Sequence, residues 1–193
     1  MTMPPSFTLD TNCIVDVDEA RPNAANILRL LELQKLNKLR IGLAVSSASE
    51  RQKDNGFLSN FAEFNARRDK LGFGNCELLP CVGMFGVTFW NNCLWGSEET
   101  NNRERQIFAC MFSTKAFEWA EAAMANDVDP EDKTNQVYLK WRNTRLDVKA
   151  FWAHENAGLD FFVTSDKEFL RLNRGFGKRN DYVIRPCDIP NYI

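Results

Sequence analysis

The sequence predicts a three-layer α/β/α fold in which helices cover both faces of a central, mainly parallel sheet. Short apolar segments suited to buried strands alternate along the chain with longer segments whose apolar residues recur at helical spacing. The composition, with 44% hydrophobic and 26% charged residues, is that of a globular protein. A chain of 193 residues is long enough for one well-buried domain and short for two. We therefore expect a single domain, residues 1–193.

The first eighty residues predict three strands and two helices. Residues 7–9 form a short apolar segment, which predicts the first strand. Apolar residues at helical spacing over 22–36 predict a helix that follows a proline. Residues 41–45 predict the second strand, and serines after it can cap a helix over about 47–68. A third, weaker strand is predicted over 76–79.

The middle of the chain, residues 81–135, does not follow this alternation. Residues 81–102 contain aromatic residues among glycine and asparagine and predict no regular element. Apolar spacing over 103–125 predicts one or two helices, followed by an acidic loop that contains proline. We interpret 81–135 as a helical insertion within the domain.

The last third predicts two further strands and the helices around them. A helix is expected to begin near Thr134 and another to cover 147–157, with Gly158 ending the latter. Residues 161–163 and 182–184 predict strands, with a short helix over 166–172 between them. Strands separated by helices imply a parallel sheet.

Several classes of protein are excluded or disfavoured by the residue usage. The six cysteines include no CxxC pair, and the single histidine, His154, cannot complete a zinc set alone. We expect buried free thiols and a packing or surface role for His154. Because the chain has neither a membrane-length apolar stretch nor a leader-like start, we expect a cytoplasmic protein with no membrane partner.

Four acids are predicted to meet at the carboxyl edge of the sheet, where ligands collect in parallel α/β folds. Asp10 follows the first strand, Glu50 the second and Asp166 the strand at 161–163, while Asp147 begins the predicted helix that leads into that strand. Each acid alone could be a helix cap or a solvated helix residue. Together they form an oxygen-only donor set suited to Mg²⁺ or Mn²⁺, which could activate water against a phosphate.

Four segments carry a resemblance to a known family: residues 9–12, 147–153, 158–166 and 182–186. Their order and spacing, with Gly158 eleven residues after Asp147, resemble the acidic motifs and last strand of the PIN-domain ribonucleases. The resemblance covers residues 6–75 and 140–190 and leaves out the middle. The second motif of the family maps best to Glu50, with Glu63 as the weaker candidate.

The resemblance implies a metal-dependent endoribonuclease that uses Mg²⁺ or Mn²⁺. Asp10, Glu50, Asp147 and Asp166 would then be the catalytic metal ligands, and Asn12 and Thr164 would support them or position water. PIN domains include toxins of toxin-antitoxin pairs, so a small antitoxin-like protein and a homodimer are expected partners besides single-stranded or structured RNA.

RNA contacts are predicted from basic residues and one aromatic residue: Arg145, Arg174, Phe176, Lys178 and Arg179. Most of these lie in a glycine-containing loop that could equally be a solvated connection. The formal net charge of −2 argues against a broad cationic surface, so we expect RNA binding to be confined to the metal site and this loop.

An alternative hypothesis is a non-catalytic PIN-like module that binds protein or RNA. The aromatic-rich region 84–119 would then be its interface, provided that its phenylalanine and tryptophan side chains are exposed.

Overall fold

The structure is a computed structural model that describes residues 4–50, 56–175 and 182–193. Its strands, in chain order, are β1 (Ser6–Leu9), β2 (Arg40–Ala44), β3 (Glu77–Leu79), β4 (Cys81–Val82), β5 (Cys93–Leu94), β6 (Phe161–Val163) and β7 (Val183–Ile184). The central sheet has the order β3-β2-β1-β6-β7, and all its pairings are parallel. Strands β4 and β5 form a separate parallel pair.

The α-helices, in chain order, are α1 (Thr11–Asp18), α2 (Ala24–Lys35), α3 (Phe61–Leu71), α4 (Glu98–Met111), α5 (Trp119–Ala125), α6 (Gln136–Ala157) and α7 (Leu172–Gly175). Short 3-10 helices cover Val45–Ser49, Trp90–Asn92, Phe169–Arg171 and Pro186–Asn191. Within the described residues, none of the helices combines the length and apolar character needed to cross a bilayer.

Helices cover both faces of the sheet, which confirms the predicted fold class. Side chains of β1 alternate between the faces, so Phe7 and Leu9 pack in one apolar cluster with residues of α1, α2 and α3. Phe162 of β6 points to the opposite face, where it packs in a second cluster with Phe108 of α4 and Phe151 of α6. The sheet is thus the middle of three layers.

The long helix α6 combines two predicted helices into one. Its first turn is capped by Asn135, whose side chain accepts a hydrogen bond from the Val137 N–H at 2.9 Å. It ends as predicted at Gly158, where φ is +64°, a conformation that glycine adopts without strain. Asp147 therefore lies in the middle of the helix, and the prediction that it begins a helix is wrong.

The sequence predicted a helix start near Thr134 but divided α6 at Asp147, because the buried residues around this position are charged. Lys149 Nζ lies 2.8 Å from Glu104 Oε1 of α4, and Arg145 Nη2 lies 3.2 Å from the other oxygen of the same carboxylate. All three residues are buried. Apolar periodicity does not reveal a helix face that is buried through ion pairs.

The region of the predicted helix 47–68 also differs from expectation. Glu50 follows the 3-10 helix Val45–Ser49 and is not in a helix, whereas α3 begins only at Phe61, after the cap residue Asn60. Residues 51–55 lie outside the described part of the chain. Helix α1, which begins at Thr11 after its cap residue Asp10, was not predicted, because its apolar run over residues 13–15 is too short to show helical spacing.

The predicted insertion contributes to the main core. Ile107, Phe108 and Met111 of α4 are buried in the same cluster as Phe151 of α6. Residues 81–102, predicted to be irregular, contain the β4–β5 pair and the first turn of α4, and the predicted helix over 166–172 is instead the 3-10 helix Phe169–Arg171 followed by α7.

All six cysteines are free thiols, in agreement with the prediction. Their burial is uneven: Cys13, Cys76 and Cys81 are buried, Cys93 and Cys110 are partly buried, and Cys187 is exposed.

Candidate active site

Asp10 is held between the ends of two neighbouring strands. It follows β1 directly and is the cap of α1, where its Oδ1 accepts a hydrogen bond from the Thr11 N–H at 2.8 Å. Its own N–H donates to the carbonyl of Val163, the last residue of β6, at 3.0 Å. The side chain is buried. The strand order thus fixes this carboxylate at the carboxyl edge of the sheet.

Thr164 and Asn12 connect Asp10 with Asp166. The Thr164 hydroxyl donates to Asp10 Oδ2 at 2.7 Å and accepts a hydrogen bond from the Asp166 N–H at 3.0 Å. Asn12 Nδ2 donates to the same Asp10 oxygen at 2.5 Å, and Asn12 Oδ1 accepts from the Ser165 N–H at 3.2 Å. Both residues therefore lie where the sequence predicted a supporting role.

Glu50 reaches the same place from β2. The Thr11 hydroxyl lies 2.7 Å from Ser47 Oγ and 2.5 Å from Glu50 Oε1, so α1 contacts the segment that follows β2. Arg142 of α6 fixes that segment from the other side, because its Nη2 donates to the Ser49 carbonyl at 2.6 Å.

Asp147 joins the three other acids electrostatically, although it comes from the middle of α6. Burial raises the pKa of its carboxyl group well above the usual range, and the negative charges of Glu50, Asp10 and Asp166 raise it further. Lys115, in the connection between α4 and α5, opposes this rise. The four acids predicted from sequence are therefore close enough to act on one another.

The other buried carboxyl groups show the same effect. Burial and then the charge of Asp166 raise the pKa of Asp10 to about 6, against the hydrogen bonds from Thr164 and Thr11. Burial and then the charge of Asp10 raise the pKa of Glu50 to about 8, against the Thr11 hydrogen bond and the positive charge of Arg142. The protein's own cations thus compensate the clustered acids only in part.

The donor chemistry of this cluster suits a hard divalent cation, but the side chains do not form a finished coordination shell. Across residues 4–50, 56–175 and 182–193, no group of three or more His, Cys, Asp or Glu side chains stands ready to hold a metal ion. Carboxylate oxygens are the ligands that Mg²⁺ and Mn²⁺ prefer in proteins. A divalent cation would favour the ionised carboxylates, which burial and mutual repulsion now disfavour, and would require rotation of their side chains.

Glu63, the weaker candidate for the second acid, has a local role in α3. Its Oε2 accepts a hydrogen bond from the Ser59 N–H at 3.0 Å, and its own N–H donates to Asn60 Oδ1 at 3.1 Å. It is exposed and belongs to the cap of that helix. Of the two candidates, Glu50 is the one whose pKa responds to the charge of Asp10.

Of the five residues predicted to contact RNA, the structure describes only two, and only one of these is exposed. Arg145 is buried. Its Nη1 donates to the Phe117 carbonyl at 3.0 Å, and its guanidinium carbon lies 3.6 Å from the centre of the Phe117 ring. This placement does not agree with a contact to RNA. Arg174 is exposed on α7. Phe176, Lys178 and Arg179 lie outside the described residues.

Sequence reasoning missed four residues that contact the acids or act on their charge: Thr11, Ser47, Arg142 and Lys115. Thr11 and Ser47 carried a signal, since each lies beside a predicted acid or within three residues of it. Arg142 was not among the residues predicted to contact RNA or a metal. Lys115 carried none, because it comes from the middle region whose path the sequence did not reveal.

No protein-family model, curated protein or solved structure matches this chain. The site must therefore be interpreted from its own residues. Clustered carboxylates at the carboxyl edge of a parallel sheet can bind a divalent cation, and they can accept a proton from water when they are ionised.

Proposed function

We propose that the protein is a metal-dependent endoribonuclease with a PIN-like site that hydrolyses RNA phosphodiester bonds. One observation carries the proposal: Asp10, Glu50, Asp147 and Asp166 come from four separate segments and meet at one edge of the sheet. The motif order in the sequence, which resembles that of PIN-domain ribonucleases, supports the same interpretation.

In this proposal the four carboxylates hold Mg²⁺ or Mn²⁺, which supplies charge stabilisation at the phosphate and lowers the pKa of a water molecule. Thr164 and Asn12 hold Asp10 in place through their hydrogen bonds to its Oδ2. Arg142 fixes the backbone before Glu50. The partners proposed on the resemblance are RNA, a small antitoxin-like protein and a second copy of the chain.

The test is cleavage of end-labelled single-stranded RNA by the purified full-length protein with Mn²⁺, with Mg²⁺ or with EDTA. We expect cleavage with either metal and none with EDTA. Asp10→Asn and Asp147→Asn should each lower the rate by about 100-fold or more, because each removes a negative ligand. Glu121→Gln is the matched control, since Glu121 is exposed on α5. Cleavage that survives EDTA or both substitutions would contradict the proposal.

A second candidate function is a non-catalytic binding module, which one surface feature favours. Phe85 and Trp95 are 82% and 83% exposed, and the ring of Trp90 lies between them, with centroids at 4.6 and 5.3 Å. An exposed group of aromatic rings is typical of a binding surface. RNA that is bound but uncut under every metal condition, with binding lost in Trp95→Ala, would favour this alternative.

A further inference from the structure

A cavity of about 370 Å³ opens beside the acidic cluster. Ser49, Phe57, Tyr138 and Arg142 contribute to its lining. Ser49 directly precedes Glu50, and the charge of Arg142 acts on the Glu50 carboxyl group, so the cavity lies next to Glu50. Its volume falls within the range of about 300–1,000 Å³ that is typical of small-ligand pockets.

Two donors that belong to the lining residues are buried without a hydrogen-bond partner in the described part of the protein. They are Nη1 of Arg142 and Oγ of Ser49. Arg142 is 6% exposed and Ser49 3% exposed, so water does not replace the missing partners freely. The other guanidinium nitrogen, Nη2, is already used by the Ser49 carbonyl at 2.6 Å. Unpaired buried donors are costly, so a ligand that brings hydrogen-bond acceptors is favoured.

The remaining lining indicates a flat ligand with a negative group outside the cavity. Phe57 lies with its ring centre 3.8 Å from the guanidinium carbon of Arg142, and Phe89 and Tyr138 add two more rings to the lining. Aromatic and guanidinium faces are surfaces on which bases stack. Lys133, which also lines the cavity, is exposed and can meet a phosphate.

We propose that this cavity binds the guanine base of an RNA nucleotide adjacent to the bond that is cut. The proposal rests on the ribonuclease function above and assigns that function a base preference. Arg142 Nη1 carries two hydrogens and can only donate. Guanine presents two neighbouring acceptors, O6 and N7, whereas adenine and cytosine present an amino group that would oppose the guanidinium. The Ser49 hydroxyl donates to the second acceptor.

The test is calorimetric titration of the full-length protein with guanosine, adenosine, cytidine and uridine 5′-monophosphates in EDTA. We expect guanosine monophosphate to bind about tenfold more tightly than the other three. Ser49→Ala should weaken its binding about fivefold without lowering the melting temperature, because the hydroxyl has no protein partner to lose. Arg142→Lys should remove the preference for guanine.

Ser46→Ala is the matched control. Ser46 Oγ is equally buried and unpartnered, but Ser46 is not among the residues that line this cavity. Equal affinities for the four nucleotides, or the same binding in Ser49→Ala as in wild type, would overturn the proposal.

Mapping of cleavage sites on a mixed-sequence RNA separates this proposal from the one it rests on. Cleavage without a preference for sites beside guanine would overturn the guanine pocket and leave the ribonuclease function standing. Selective binding of guanosine monophosphate without cleavage of any RNA would support the pocket and contradict the ribonuclease.

Discussion

A single hydroxyl group, that of Thr164, connects two of the four acids. It donates to Asp10 and accepts from the backbone of Asp166, so it sets the position of both carboxylates at once. Under the proposed function Asp10 and Asp166 are metal ligands, and loss of a group that orients such a ligand typically lowers metal affinity by about 10- to 100-fold.

Thr164→Val, which keeps the shape of the side chain, tests this role. We expect it to weaken Mn²⁺ binding by about 10- to 100-fold, because Asp10 loses one of its two side-chain hydrogen-bond donors. Calorimetric titration with Mn²⁺ measures the effect. Thr164→Ser retains the hydroxyl and should bind Mn²⁺ as wild type does. Equal affinities for Mn²⁺ in Thr164→Val and wild type would show that the hydroxyl does not position the ligand.

His154 is a buried group outside the acidic cluster whose charge matters for stability. Its Nδ1 is hydrogen-bonded to the Thr8 hydroxyl at 2.8 Å, and its ring packs against Phe151 and Phe162. Burial lowers the pKa of His154 from 6.5 to about 4. The unfolded chain therefore binds a proton more readily than the folded protein between these two pH values.

From this difference we expect stability to fall as the pH falls from about 6.5 towards 4. Between pH 7.5 and pH 5 the histidine should account for a loss of about 2 kcal/mol in the free energy of unfolding. Urea unfolding of wild type and His154→Gln at both pH values measures it, since the acids titrate alike in the two proteins. If the two proteins lose the same free energy on acidification, His154 is not the cause.

At the level of single residues, the sequence predicted the acids better than their surroundings. Asp10, Glu50 and Asp166 follow strands, and a short apolar strand that ends in an acid is a local pattern. Arg145 was misassigned because an arginine that pairs with a buried Glu104 has the same sequence signature as one that faces solvent. Lys115 depends on the path of a long connection, which no local pattern records.

Helices α4 and α6 are joined by a buried ion network as well as by apolar contacts. Glu104 of α4 accepts from both Lys149 and Arg145 of α6, and all three side chains are excluded from water. This pairing explains how a helix with many charged residues packs against the sheet. It also hides the buried face of α6 from an analysis based on apolar spacing.

Glu104→Gln should therefore be strongly destabilising. It leaves two buried cations without a carboxylate, and we expect the free energy of unfolding to fall by about 3 kcal/mol in urea. Glu32→Gln is the control, because it breaks an exposed pair with Arg29 and should change stability by less than about 0.5 kcal/mol. Equal losses in the free energy of unfolding for the two variants would mean that the buried ion network does not stabilise the contact between α4 and α6.

Several elements were predicted to within one or two residues, among them β1, β2, α2 and β6. Strand β6 matches the prediction residue for residue, and Gly158 ends α6 as expected. Helix α1 was missed, because its short apolar run over residues 13–15 shows no helical spacing. Helix α6 was divided at Asp147, because the charged residues next to this position are buried only through their partner on α4.

At the scale of the whole molecule, the middle region is not separable from the sheet. Residues of α4 lie in the same apolar cluster as residues of α6 and β6. The predicted insertion therefore forms part of the core that covers one face of the sheet. A single domain, which remains a prediction, should unfold in one step.

The tryptophans make this cooperativity measurable, because three of the five, Trp90, Trp95 and Trp119, lie within 81–135. We expect urea unfolding followed by tryptophan fluorescence to coincide with unfolding followed by far-ultraviolet circular dichroism. A fluorescence transition at lower urea than the circular dichroism transition would show that the middle region unfolds by itself.

The position of β1 at the centre of the sheet has a consequence for synthesis of the protein. Its partner β2 follows closely, but its partner β6 begins only at Phe161, and Asp166 comes later still. On the ribosome, Asp10 and Glu50 emerge long before the residues that complete their cluster. Since domains fold as units during translation, the nascent chain carries half a site until its last helices emerge. The four acids can therefore act on one another only after Asp166 has left the ribosome.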